Sequence, residues 1–127
     1  MISNVVVVTG GRNYANRAYL EEQLSALRPD CIFHGGANGA DALASAWATR
    51  QGISQQRFDA NWAAYGRAAG PRRNAEMASY AAKLQVNGIR VTVVAFPGGR
   101  GTANMVDVAT RHGLDVLDLR SAARAAV

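Results

Sequence analysis

Hydrophobic positions along the chain alternate between two kinds of pattern. Val5 to Thr9 is an unbroken β-branched run that ends at Gly10-Gly11, as expected of a central strand buried on both faces. Tyr19, Leu20, Leu24 and Leu27 then recur at helical spacing and predict a helix over 16–27, stopped by Arg28-Pro29-Asp30. Cys31-Ile32-Phe33-His34 reads as a second short strand, closed again by paired glycines, Gly35-Gly36. Asp41 to Arg50 is alanine-rich, with Leu43 and Trp47 one turn apart and Gly52 as a C-terminal cap. Ile53 to Phe58 gives a weaker third strand.

Asn61 to Pro71, with Trp62, Tyr65, Gly66 and Gly70, reads as loop. Met77, Tyr80, Ala81 and Leu84 follow at i, i+3, i+4, i+7 and predict a helix over 72–86, ended by Asn87-Gly88. Arg90 to Phe96 is the second strong strand. A glycine-rich turn, a helix to about His112 with Met105, Val108 and Ala109, a Gly113 cap and a short strand over 114–119 complete the pattern. The remaining Arg/Ala tail is expected to fray or form a short helix. Strands alternating with helices imply right-handed crossovers. The expected fold is α/β, a single Rossmann-like doubly wound domain over 1–127. Its sheet is mainly parallel, of about five strands, with helices on both faces.

Composition narrows the picture. The 127 residues suit one domain with its own core. The single cysteine, Cys31, makes neither an internal disulfide nor a zinc cluster, and a reducing, cytoplasmic setting is expected. No apolar run approaches a membrane span, and Met1-Ile2-Ser3-Asn4 lacks the flank of a signal peptide. The formal charge is +5, and Lys83 is the only lysine among 14 basic residues. Arginine offers a planar fork that fits phosphate or carboxylate. Genome base composition is the leading account of the exposed copies, so only arginines beside glycine turns are informative.

Three strands end in such turns: Gly10-Gly11-Arg12, then Gly35-Gly36-Ala37-Asn38-Gly39-Ala40-Asp41, then Pro97-Gly98-Gly99-Arg100-Gly101-Thr102. In a parallel sheet all strand C-termini share one edge, so the turns converge where open α/β sheets bind ligands. Each opens a helix whose unpaired N–H groups and dipole favour an anion. Thr102 is expected to cap its helix and touch phosphate. No Gly-Lys-Ser/Thr and no Gly-x-Gly-x-x-Gly with a following acid is present, which disfavours Walker and dehydrogenase chemistry.

The ordered motifs Gly10 to Tyr14, His34 to Asp41, Trp62 to Asn74 and Phe96 to Thr102 together resemble the YspA-type family of the SLOG superfamily. That superfamily includes the LOG cytokinin-activating phosphoribohydrolases and the DNA-processing protein DprA/Smf. The resemblance implies a nucleotide or nucleotide-derived ligand and a homodimer. The phosphoribohydrolase relatives carry an arginine in Arg-Lys-x-x-Met and a glutamate three residues after the threonine of the glycine motif. Here Arg73-Asn74-Ala75-Glu76-Met77 matches the first with Asn74 in place of lysine, and Met105 stands where the glutamate would be. A thioether neither activates water nor stabilises a cation-like sugar. Arg73 with Glu76 is the residual catalytic candidate, and Asp41 is a second substitute for the lost carboxylate.

Each candidate has two readings. Asp41 is a first-turn helix charge or a ribose-hydroxyl ligand. Arg72 and Arg73 open a helix, where a cation is unfavourable unless an anion is bound. Arg12 follows Gly10-Gly11 directly, and Arg100 meets phosphate or points outward. Trp62 stacks on a base or anchors its loop, and Tyr65 anchors the loop. His34 packs at a strand end. His112 is a favourable helix C-terminal cation. The Met77/Tyr80/Leu84 stripe and Trp47 are core or a dimer face. With two histidines and one cysteine no metal site is expected, nor any cofactor. Three functions compete: a nucleotide-binding module, an N-glycoside hydrolase acting on nucleoside 5′-monophosphates, and a single-stranded DNA binder. Scattered arginines without aromatic interleaving speak against nucleic acid, and the first reading leads.

Overall fold

The computed structural model describes residues 1–121. It contains five strands, β1 (Asn4–Thr9), β2 (Cys31–His34), β3 (Ser54–Arg57), β4 (Arg90–Ala95) and β5 (Asp115–Asp118). Five α-helices join them: α1 (Arg17–Leu27), α2 (Ala40–Gln51), α3 (Trp62–Tyr65), α4 (Ala69–Val86) and α5 (Arg100–Arg111). The Arg/Ala tail from 122 onward lies outside the described residues.

All four strand pairs are parallel, in the order β3-β2-β1-β4-β5. The two valine runs lie side by side in the middle, with Val5 opposite Val91 and Val8 opposite Val94. Their burial on both faces matches their unbroken apolar sequence. Ser54–Arg57 is exposed throughout, as suits a polar edge strand. The chain winds from β1 outward through β2 to β3, then crosses back to β4 and on to β5. The winding direction therefore reverses between β1 and β4, which is where such sheets open a crevice.

The pleat divides the core. Val5, Val7, Phe33 and Val93 face α4 and α5 and pack with Met77, Ala78, Met105 and Val108. Val6, Val8, Ile32 and Val94 face α1 and α2 and pack with Leu20, Leu24, Ala44 and Trp47. Trp47 is therefore core. Of the α4 stripe, Met77 is buried and Leu84 packs against the same cluster, whereas Tyr80 keeps 44% exposure while meeting Phe33 and Phe58 edge-on.

One expected loop is helical. Trp62–Tyr65 forms a single turn whose Asn61 side chain accepts from the Ala64 N–H, and a 3-10 turn over Gly66–Ala68 leads into α4 at Ala69, three residues before the expected start. Gly70 and Pro71 look like breakers in sequence. In the first helical turn the N–H that proline lacks has no intrahelical partner anyway.

Candidate functional site

The three glycine turns meet above the β1/β4 boundary and lock together through their backbones. Gly11 donates its N–H to Pro97 O at 2.9 Å. Gly11 O in turn accepts from Tyr14 at 3.1 Å and from Ala40 at 3.2 Å. A Cβ on Gly10 would come 2.6 Å from that of Ala40, so the first turn tolerates no side chain there. Gly39 sits at φ +77°, facing the Gly11–Arg12 backbone. These contacts leave a cavity of about 910 Å³ at the C-terminal edge of the sheet.

Its walls come from four places. The first turn contributes Gly10, Gly11 and Arg12, and the second contributes Gly35 and Asp41. Trp62 of α3 and Arg73 and Asn74 of α4 line a third side. Pro97, Gly98, Gly99, Arg100, Gly101 and Thr102 form the fourth. Gly36, Asn38, Gly39, Arg72 and Glu76, all site candidates in the sequence, do not line the cavity.

The fourth wall is the start of α5. Gly99 is its N-cap and makes no side-chain cap bond, so the first N–H groups of the helix are left without a side-chain acceptor. Thr102 lies inside the first turn, not at the cap. Its side chain is buried against Gly98, and its hydroxyl has no partner among the described residues. Among the 13 glycines, only Gly99 and Gly101 have neither a positive φ nor any atom within 4 Å of where a Cβ would stand. Gly101 lies within a helix, where glycine costs about 1 kcal/mol relative to alanine. No atom of the described residues stands in the way of a side chain at these two positions.

Arg73 crosses from α4 to the second turn. Its Nη1 donates to Gly35 O at 2.8 Å and Phe58 O at 3.3 Å, and its Nε donates to Asn74 Oδ1 at 3.0 Å. None of Arg12, Arg73 and Arg100 makes an ion pair with a carboxylate among the described residues. Three guanidinium groups thus line the cavity against one acid, Asp41.

Asp41 is 6% exposed. Its Oδ2 accepts from Gly35 at 3.0 Å and Ala37 at 3.3 Å, while Oδ1 is buried without a partner. The Gly35 peptide therefore bridges Asp41, on its N–H, to Arg73, on its carbonyl. Burial pushes the Asp41 carboxyl above the usual 3.8, outweighing the two backbone bonds and the nearby Arg73 charge. The folded protein then holds this proton to a higher pH than the unfolded chain does. The stability associated with that proton falls as pH rises from the ordinary value through the raised one. Asn at this position still accepts both N–H groups and does not titrate. The melting temperature of Asp41→Asn, relative to the parent, is expected to shift upward as pH rises across that window. Thermal melts from pH 3 to 8 check this, and a gap independent of pH contradicts it.

Neighbours in sequence take different roles on α4 because successive residues point about 100° apart. Arg73 reaches the cavity, while Arg72 lies exposed over the Tyr65 ring, 4.1 Å from its centroid. Both arginines sit in the second turn of α4, so the expected conflict with the helix start is weaker than the sequence suggested. Glu76 is exposed, does not line the cavity and makes no ion pair with Arg73 among the described residues. Met105 is 0% exposed in the sheet-facing core. Beyond the first turn of α5, the residue that lines the cavity is instead its neighbour Asn104. His34 Nδ1 accepts the Gly36 N–H at 3.0 Å, so its Nε2 bears the proton and donates to Gln55 Oε1 at 3.0 Å. Both nitrogens are occupied structurally. Trp62 is 58% exposed and lines the cavity.

Tyr14 and Asn104 are among the lining residues that the sequence did not single out. Tyr14 lies on Phe96 with ring centroids 5.3 Å apart, and its place in Gly-Gly-Arg-x-Tyr was the available signal. Asn104 offered only its position one helical turn after Gly101. Among the described residues no group of three or more His, Cys, Asp or Glu could hold a metal ion, and no helix is long and apolar enough to cross a membrane.

Residues 4–65, from β1 through α3, match the model of the family described as YAcAr, the YspA, cpYpsA-related SLOG family. The Gene 61 protein of Mycobacterium phage D29 is 32% identical, over 89% of this chain and 94% of its own length. Among solved structures, DNA processing protein A (DprA) from Streptococcus pneumoniae superposes with a TM-score of 0.70 at 17% identity over 91% of this chain. The chain spans half the length of that DprA structure. The protein TM1055 superposes with a TM-score of 0.61 at 19% identity over 93% of this chain and 75% of its own. At these identities the likeness is one of fold.

Proposed function

The chain belongs to the YspA, cpYpsA-related SLOG family, and on that premise we propose that its cavity binds a nucleotide or a nucleotide-derived small molecule, as a sensor or sequestering module. The observation that carries this reading is the pair Gly99 and Gly101. No described atom would crowd a side chain there, whereas a phosphate approaching the start of α5 would be crowded by one. Uncapped N–H groups, the Thr102 hydroxyl and Arg73 would hold the phosphate, with Arg12 and Arg100 at the rim and Trp62 available to stack on a base. Gly36, Asn38 and Gly39 would act by shaping the second turn, since they do not line the cavity. Native mass measurement with a panel of nucleotides and NAD-derived metabolites tests the reading. One retained phosphorylated ligand supports it, and no retention across the panel overturns it.

N-glycoside hydrolysis is the second reading, and the buried, unpartnered Oδ1 of cavity-lining Asp41 is the observation that favours it. Glycosidic cleavage passes through a cation-like sugar that a nearby carboxylate stabilises. Met105 supplies none, and losing such a group typically costs about 100- to 1000-fold in rate. We therefore expect incubation with adenosine monophosphate or cytokinin ribotides to release little free base and ribose 5-phosphate. Release at the rate of a glutamate-bearing relative would promote Asp41 to catalyst. Single-stranded DNA is the third reading, resting on the fold shared with DprA. A homodimer in a cytoplasmic setting completes the proposal, and a monomeric mass by light scattering would contradict the dimer.

A further inference from the structure

The hydrogen bonds on the α4/α5 side of the cavity have a direction. A guanidinium only donates, so the bond from Arg73 Nε obliges Asn74 Oδ1 to be the acceptor. The other end of the Asn74 amide is then its NH₂ group. It donates to Gly101 O at 3.2 Å and to Asn104 Oδ1 at 3.0 Å. That uses the Asn104 oxygen and leaves Asn104 with its NH₂ group, which has no partner among the described residues. Asn74 is only 5% exposed, so water does not readily replace these bonds. Reversing either amide would set two donors or two acceptors against each other, and the orientation therefore does not depend on telling nitrogen from oxygen. Asn104 and Arg73 both line the cavity beside the first turn of α5. Arg73 and Asn104 thus offer only donors to the cavity, and the Thr102 hydroxyl beside them can donate as well.

Resting on the nucleotide reading, we propose that Asn104, oriented by Asn74, is a ligand-contacting donor that makes this wall selective for a fully deprotonated, acceptor-only oxyanion such as a phosphate. Asn74 is a positioning residue. Met105, the next residue on α5, belongs to the core, and the Asn104 amide faces the cavity.

Asn104→Asp separates this role from a structural one. The new carboxylate keeps an acceptor for Asn74, so the α4–α5 link survives, but it offers the ligand a negative charge in place of a donor. Titrations with adenosine 5′-monophosphate and with adenosine, read by calorimetry, give the ratio of the two affinities. We expect that ratio to fall about 100-fold in Asn104→Asp, because like charges in contact cost several kcal/mol, with adenosine binding little changed. Asn74→Ala, which lets Asn104 turn, should lower the same ratio by about tenfold. A loss of packing would weaken both probes alike and leave the ratio unchanged. A parent that prefers the monophosphate beside an Asn104→Asp variant with the same preference overturns this inference alone. A parent that binds neither probe overturns the nucleotide reading and this inference with it.

Discussion

Met105→Glu is expected to cost the protein about 3–5 kcal/mol and to gain no hydrolase activity. A buried carboxylate without a partner carries a penalty of that size, and whole domains are stable by only about 5–15 kcal/mol. Met105 has no exposed surface and packs in one cluster with Val5, Val7, Val93 and Val108. None of the described residues in that cluster carries a charge. Protonation would spare the charge, yet the neutral acid would still bury polar atoms among valines. The substitution that appears in sequence to restore a catalytic glutamate therefore places it under the helix and not in the cavity. Urea unfolding gives the stability, and base release from adenosine monophosphate gives the activity. A folded variant of unchanged stability that hydrolyses the nucleotide would show that α5 is turned the other way.

Gly99→Asp is expected to separate binding from folding. No atom of the described residues lies within 4 Å of a Cβ at this position. Asp is also a favoured N-cap, and a new cap bond to the first turn of α5 is worth about 0.5–2 kcal/mol. The melting temperature should hold or rise. The same carboxylate would occupy the place proposed for phosphate and repel any oxyanion approaching it. We expect affinity for a phosphorylated nucleotide to fall by about 100-fold or more. The glycine would then be a residue kept for binding at a cost in stability, a common bargain at functional sites. Unchanged affinity would move the phosphate elsewhere in the cavity.

The elements legible in the sequence were those governed by local rules. The β1 and β4 valine runs are too continuous to cover one face only, which marked them as central. Paired glycines at three strand ends implied one convergent edge, because parallel strands leave no other arrangement. What the sequence hid depends on direction around a helix and on context. Gly70 and Pro71 read as breakers because proline's effect differs between the first turn and the interior of a helix. Arg72 and Arg73 looked equivalent until the start of α4 set which faced the cavity. Counting three residues from Thr102 reached Met105, but the face of α5 that meets the cavity holds Asn104. The Arg73–Asn74–Asn104 chain joins residues up to 31 positions apart in sequence, and no spacing rule anticipates it.

The central claim is that the α5 start and the arginines around it bind the phosphate of a nucleotide. Calorimetric titration of the parent with adenosine 5′-monophosphate, adenosine and a single-stranded oligodeoxynucleotide tests it most directly. The account predicts saturable binding of the monophosphate and at least tenfold weaker binding of adenosine, since charged hydrogen bonds contribute about 1.5–3 kcal/mol each. It predicts no stoichiometric binding of the oligonucleotide. Adenosine binding as tightly as its monophosphate, or an oligonucleotide that saturates the protein while the monophosphate does not, would contradict it.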